Sequence, residues 1–113
     1  MEIKKKQIES QGIKLFIEQD GREVARAFLY ILRNDFRNRI FGYMEDVFVA
    51  ESMRGQGLGT IIINELIKTA KEIGCYKIIS TSRHGRGKVH ALYERLGFKN
   101  FGIEFKMYLE EID

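Results

Sequence analysis

The chain has 113 residues, 44% apolar and 31% charged, with one cysteine, no proline and no tryptophan. That length can bury roughly two-thirds of the surface exposed by the unfolded chain, so a single domain over residues 1–113 with a true core is expected rather than disorder. One thiol, Cys75, rules out an internal disulfide, and two histidines leave too few soft ligands for a closed zinc site; a net charge of +3 is too small to mark a nucleic-acid binder.

Residues 2–9, with their lysine triplet, read as a poor edge strand joined through a turn at Gln11-Gly12. Their charged start is not the basic flank and apolar core of a signal sequence, and no apolar run approaches the ~20 residues of a membrane span. A cytoplasmic protein without membrane or nucleic-acid partners is therefore expected. Ile13, Leu15 and Ile17 alternate with Lys14, Phe16 and Glu18, and Asp20-Gly21 then separates them from a second run, Val24 to Leu32, which predicts a hairpin. After a polar segment, residues 40–50 form the strongest strand, with Val47, Phe48 and Val49 as its continuous apolar run.

From Leu58 the period becomes 3.6: Leu58, Ile62, Ile63, Leu66, Ile67, Ala70 and Ile73 share one side of a helix that Gly74 ends. Residues 76–81 read as a short strand, parallel to residues 40–50 because a helical crossover joins them. Val89, Leu92, Tyr93 and Leu96 then mark a second helix, stopped by Gly97, and residues 98–109 suggest a closing hairpin. The expected order is β-β-β-β-α-β-α-β(β), an α/β (α+β) fold with a mixed, mostly antiparallel sheet flanked by helices.

The sharpest chemical signal is Arg54-Gly55-Gln56-Gly57-Leu58-Gly59-Thr60, between the best strand and the first helix. Glycines at a helix start offer unencumbered N–H groups and about half a positive charge to an anion, and Arg54 supplements it. The dinucleotide fingerprint fails because Thr60 stands where its last glycine belongs, and the nucleotide-triphosphate loop fails for want of a lysine before Thr60. Glycine spacing alone also fits a turn that merely reverses the chain.

This loop resembles the Arg/Gln-x-x-Gly-x-Gly/Ala signature of the GNAT superfamily of N-acetyltransferases. Its setting does too: Glu45-Asp46-Val47-Phe48-Val49 is similar to the family's fourth strand, and Tyr93 to Phe98 match the Tyr-x-x-x-Gly-Phe pattern of its later helix. The resemblance spans about residues 15–109. It departs in two places: the two helices usually inserted between the first and second strands have no room at Gln11-Gly12, and Arg86 replaces an asparagine often found seven residues before the helix tyrosine.

The resemblance implies an enzyme that moves an acetyl group from acetyl-CoA directly to a primary amine. Residues Arg54, Gly55, Gln56, Gly57, Leu58, Gly59 and Thr60 would hold the pyrophosphate, and Val47, Phe48 and Val49 would present backbone groups to the pantetheine and thioester. Acyl transfer needs a neutral amine, stabilisation of the developing oxyanion and a proton for the departing thiolate. A lysine-like amine, with a pKa of about 10.4, is neutral only about once in 2,500 at pH 7, so a base is useful; Glu45 is the candidate and Asp46 the second, since adjacent strand residues face opposite sides. The resemblance makes Tyr93 the acid, although a tyrosine on an apolar helix stripe also fits the core.

Cys75 reads as a small buried hydrophobe, His90 as a flanking residue of the Tyr93 helix, and Arg83, Arg86 and Lys88 as a solvated basic loop. The rival function is a non-catalytic CoA-binding module or regulatory interaction domain of the same fold. A nucleic-acid binder is disfavoured because aromatic and basic residues do not interleave along one strand. The amine acceptor is a small molecule or a protein, and the shortened acceptor side admits a homodimer.

Overall fold

The computed structural model describes residues 1–111. The chain divides into two compact units, Met1–Ser80 and Thr81–Asp113. In the first, β1 (Gln11–Gln19), β2 (Arg22–Leu32), β3 (Phe41–Val49) and β4 (Ile78–Ser80) form one sheet in that order, with α1 (Leu58–Ile73) between β3 and β4. The second contains α2 (Gly87–Arg95).

The β1–β2 hairpin closes through two residues, Asp20 (φ 52°) and Gly21 (φ 75°), with Gln19 opposite Arg22. Two successive positive φ values match the right-handed twist of the flanking strands, which is why Asp-Gly is a strong hairpin signal. The pairing shifts at Ile17/Glu18, inserting Val24 into β2. Two adjacent residues, Val24 and Ala25, are thereby both buried despite the two-residue period of a strand.

β2 and β3 are antiparallel, whereas β3 and β4 pair in parallel over Gly42–Ile78, Tyr43–Ile79 and Met44–Ser80, as expected of a helical crossover. The core lies between one sheet face and α1. Ala25, Ala27, Leu29, Ile31 and Met44 meet Ile62, Ile63, Leu66 and Ala70, all buried. Gly74, at φ 105°, ends α1 at the expected residue, and its N–H donates to the carbonyls of Ala70 and Lys71.

Two expected elements are absent. Residues 2–9 make no strand, so three strands precede α1 rather than four. The supposed turn at Gln11-Gly12 lies inside β1, with Gly12 opposite Tyr30. A Cβ at Gly12 would sit 3.1 Å from the Tyr30 ring; the glycine admits a cross-strand aromatic rather than a reversal of the chain. The closing hairpin over residues 98–109 does not form either: residues 98–108 are neither strand nor helix, and large apolar side chains there stand in solvent.

Candidate functional site

Every predicted site residue except Tyr93 lies in the first unit. Glycines shape the turn before α1: Gly55 has φ 84° and Gly57 φ 77°, both left-handed conformations that suit a residue without Cβ. Gly57 is the N-cap of α1 and supplies no side-chain cap. Its carbonyl accepts from Ile61 N–H at 3.0 Å, while the N–H groups of Leu58, Gly59 and Thr60 have no acceptor within the helix. A Cβ built at Gly55 or Gly57 meets nothing within 4 Å, so no neighbouring side chain crowds the turn at these two positions. Arg54 is anchored beside them, its Nε donating to the Val49 carbonyl at 3.1 Å. Open N–H groups, a helix dipole and a tethered guanidinium fit a pyrophosphate.

The adjoining strand ends in a split. β4 pairs with β3 no further than Met44, whose carbonyl accepts from Ser80 Oγ at 3.2 Å. Residues 45–49 run on beyond β4, so on that side their backbone groups lie outside the parallel ladder. On the other side the register with β2 shifts: Arg26 opposes Phe48 and Phe28 opposes Glu45, leaving Asp46 and Val47 opposite Ala27 alone. Asp46 sits at φ 52°, in the left-handed region. This bulge re-aims the strand at the residues expected to meet a thioester, as bulges do beside functional sites.

The bulge also corrects the alternation argument. Strict alternation would put Glu45 and Asp46 on opposite faces. Instead Glu45, opposite Phe28, and Phe48, opposite Arg26, share the face turned away from α1, and Asp46 reaches the same face to pair with Arg26, with Nε to Oδ2 at 3.3 Å. Arg26 also lies over the Phe48 ring, 4.6 Å from its centroid, and pairs with Glu23 at 3.4 Å. Glu23 in turn pairs with Lys14, which lies 5.1 Å from the centroid of Phe16. The hydrogen bond from Lys14, aided by Arg26, holds the Glu23 carboxyl below the usual carboxylate range, and Asp46, then Glu23, raises the guanidinium of Arg26 above its ordinary value. Asp46 is thus engaged, whereas Glu45 has no ion pair among the described residues.

Aromatic and basic residues therefore do interleave, Lys14 with Phe16 along β1 and Arg26 with Phe28 along β2, and Phe48 of β3 joins them across strands, which corrects the expectation that they would not. Carboxylates neutralise both cations, so this face lacks the positive field that single-stranded nucleic acid requires. Arg26 was the residue missed, because nothing in the local sequence distinguishes it from any strand-surface arginine.

In the second unit, the Tyr93 ring packs on Phe98 with centroids 5.5 Å apart, and Phe98 N–H donates to the Tyr93 carbonyl at 3.0 Å. Tyr93 is half-buried, as is His90, whose Nε2 lies 2.9 Å from the Arg83 carbonyl and is therefore the protonated nitrogen. Arg83, Arg86 and Lys88 are exposed. Cys75 is half-buried, and burial pushes its thiol up, which suits the expected inert hydrophobe.

The sequence profile of the Acetyltransferase (GNAT) family matches residues 2–98. A probable glucosamine 6-phosphate N-acetyltransferase 2 from Oryza sativa subsp. japonica is 33% identical over 90 residues, covering 79% of this chain and 52% of the relative. Glucosamine 6-phosphate N-acetyltransferase from Trypanosoma brucei brucei is 41% identical over 88 residues, covering 76% and 58%. The chain therefore spans little more than half the length of these relatives. Among solved structures, a Trypanosoma brucei acetyltransferase superposes with a TM-score of 0.79 at 35% identity, covering 87% of this chain and 69% of that one. Glucosamine-6-phosphate N-acetyltransferase from Arabidopsis thaliana gives 0.79 at 28% identity, covering 88% and 67%. The glycine turn, the split and bulged strand, the profile match and these superpositions agree: the chain belongs to the GNAT acetyltransferase family.

Proposed function

We propose that this chain transfers the acetyl group of acetyl-CoA to the amine of a phosphorylated amino sugar, with glucosamine 6-phosphate the acceptor to try first. The observation that carries the reading is the uncapped start of α1 behind the Gly55 and Gly57 turn, a ready anion cradle beside Arg54. The acceptor follows from the names of the relatives. No observation favours the non-catalytic module.

Acetyl-CoA supplies an activated acyl group on a thiol that can leave. Arg54 and the N–H groups of residues 55–60 bind its pyrophosphate, and the open backbone of Val47, Phe48 and Val49 orients the acyl arm, with an N–H of this strand donating to the carbonyl oxygen as charge develops there. Glu45, free of the ion pair that engages Asp46, takes a proton from the amine through water, and the Tyr93 hydroxyl gives one to the departing sulfur. The net change is one N–C bond made and one C–S bond broken. The reaction belongs in the cytoplasm, where one free thiol is ordinary, within a single functional domain over residues 1–113 and in a dimer of two copies.

Calorimetric titration of the parent and Gly57→Trp with acetyl-CoA, followed by thiol release on adding glucosamine 6-phosphate, tests the reading. Micromolar binding lost in Gly57→Trp, with turnover about a hundredfold lower in Tyr93→Phe, is expected of a general acid. Binding without thiol release would leave a CoA-binding module, and no binding would overturn both.

A further inference from the structure

At the start of β3, as far from the glycine turn as the strand allows, Arg33, Asn38, Arg39, Ile40, Gly74 and Tyr76 line a cavity of about 310 Å³. Because α1 begins at the glycine turn and ends at Gly74, its 16 residues set the two places about 24 Å apart. The cavity is built from ordered parts. Asn34 Oδ1 accepts from the N–H groups of Phe36 and Arg37, each at 3.1 Å, which holds the β2–β3 loop in a turn. Tyr76 N–H donates to the Ile40 carbonyl at 3.0 Å, tying the end of α1 to the entry of β3.

Its charge is one-sided. The Arg39 guanidinium stacks 3.9 Å above the Tyr76 ring and Lys77 Nζ lies 5.1 Å from the same ring. The hydrogen bond from Lys77, with the charges of Arg39 and Arg37, lowers the Tyr76 phenol. Among the described residues Arg33, Arg37, Arg39 and Lys77 have no ion pair, and the loop's one carboxylate, Asp35, is paired with Lys6 at 2.7 Å. The end of α1 contributes partial negative charge, but Gly74 N–H covers the carbonyls of Ala70 and Lys71, and Cys75 N–H shares that of Ala70. The guanidiniums of Arg33 and Arg39 in the cavity wall, with the charges of Arg37 and Lys77 beside Tyr76, outweigh that partial charge.

We propose that this cavity binds a small oxyanion, free phosphate or the phosphate group of a metabolite, at a site separate from the acetyl-CoA turn. Guanidinium forks and a carboxamide without an acidic lining residue are the donor set that recognises such a group. Stacking on Tyr76 holds the Arg39 fork in place before the anion arrives, and a volume near 300 Å³ admits a phosphate with a small organic substituent.

The test saturates the full chain with CoA, so that the glycine turn is filled, and follows backbone amide resonances as inorganic phosphate is added to about 10 mM. A second arm uses glucose 6-phosphate, which carries no amine; tighter binding than phosphate would identify a metabolite rather than the free ion. Shifts at Asn38, Arg39, Gly74 and Tyr76, at least tenfold weaker affinity in Arg33→Ala/Arg39→Ala and partial recovery in Arg33→Lys/Arg39→Lys are expected. If the alanine pair does not fold, the map on the parent chain decides. No shifts, or shifts confined to residues 54–60, would overturn the proposal, as would undiminished binding by the folded alanine pair.

Discussion

Two glycines that look alike in the sequence act by different physics, and single methyl groups separate them. At Gly57 the backbone is left-handed and a Cβ meets nothing, so alanine costs about 1–2 kcal/mol of conformational energy, whatever surrounds it. At Gly12 the cost is a collision with the Tyr30 ring at 3.1 Å. Denaturant unfolding should therefore show Gly12→Ala to be non-additive with Tyr30→Ala, by at least about 0.5 kcal/mol, and Gly57→Ala to be additive with it. Additivity in both pairs would mean that Gly12 does not serve the close approach of Tyr30. Glycine's two uses, positive φ and missing bulk, leave the same letter in a sequence. A turn was therefore a reasonable expectation at Gln11-Gly12, whereas flanking strand and helix patterns resolved the ambiguity at Gly57.

At the scale of elements, what could be read in advance was what local periodicity dictates. The hairpin at Asp20-Gly21, the extent of α1 and the parallel crossover are each set by residues close in sequence. The two bulges are not: inserting Val24, or Asp46 with Val47, depends on the register of a partner strand. So the glycine turn was legible, but the sharing of one sheet face by Glu45 and Asp46 was not. The same cross-strand logic builds the chain Lys14–Glu23–Arg26–Asp46, and its pH dependence has a definite sign. The Glu23 carboxyl titrates below its ordinary value in the folded protein, so its ionised form stabilises the fold. That stability is complete above the unfolded carboxylate range and is lost as pH falls through the lower, folded value. Thermal unfolding should find Glu23→Gln less stable than the parent at pH 7, with the gap closing as pH falls through the lowered carboxylate range. A constant gap would show that the carboxylate charge is not what couples these strands.

For the whole molecule the open question is what covers residues 101–109. Phe101, Ile103, Phe105, Met107 and Leu109 fall on alternate positions and are exposed, Phe105 at 91%. Between them Lys106 pairs with Glu104 at 3.3 Å and lies 5.7 Å from the Tyr108 ring centroid, so neighbours two apart interact, as on one side of a strand. The segment has a strand's two-faced pattern without strand partners among the described residues. Apolar surface in this form invites pairing with another chain, and in a solution of the purified protein a second copy is the partner on offer. Sedimentation at about 50 μM should give the mass of a dimer for the parent and of a monomer for Phe105→Asp/Met107→Lys, a concentration well above the Kd of a stable interface. Those positions lie outside the glycine turn, so acetyl-CoA binding should survive the substitution even where the dimer does not. A monomeric parent would overturn the proposed dimer.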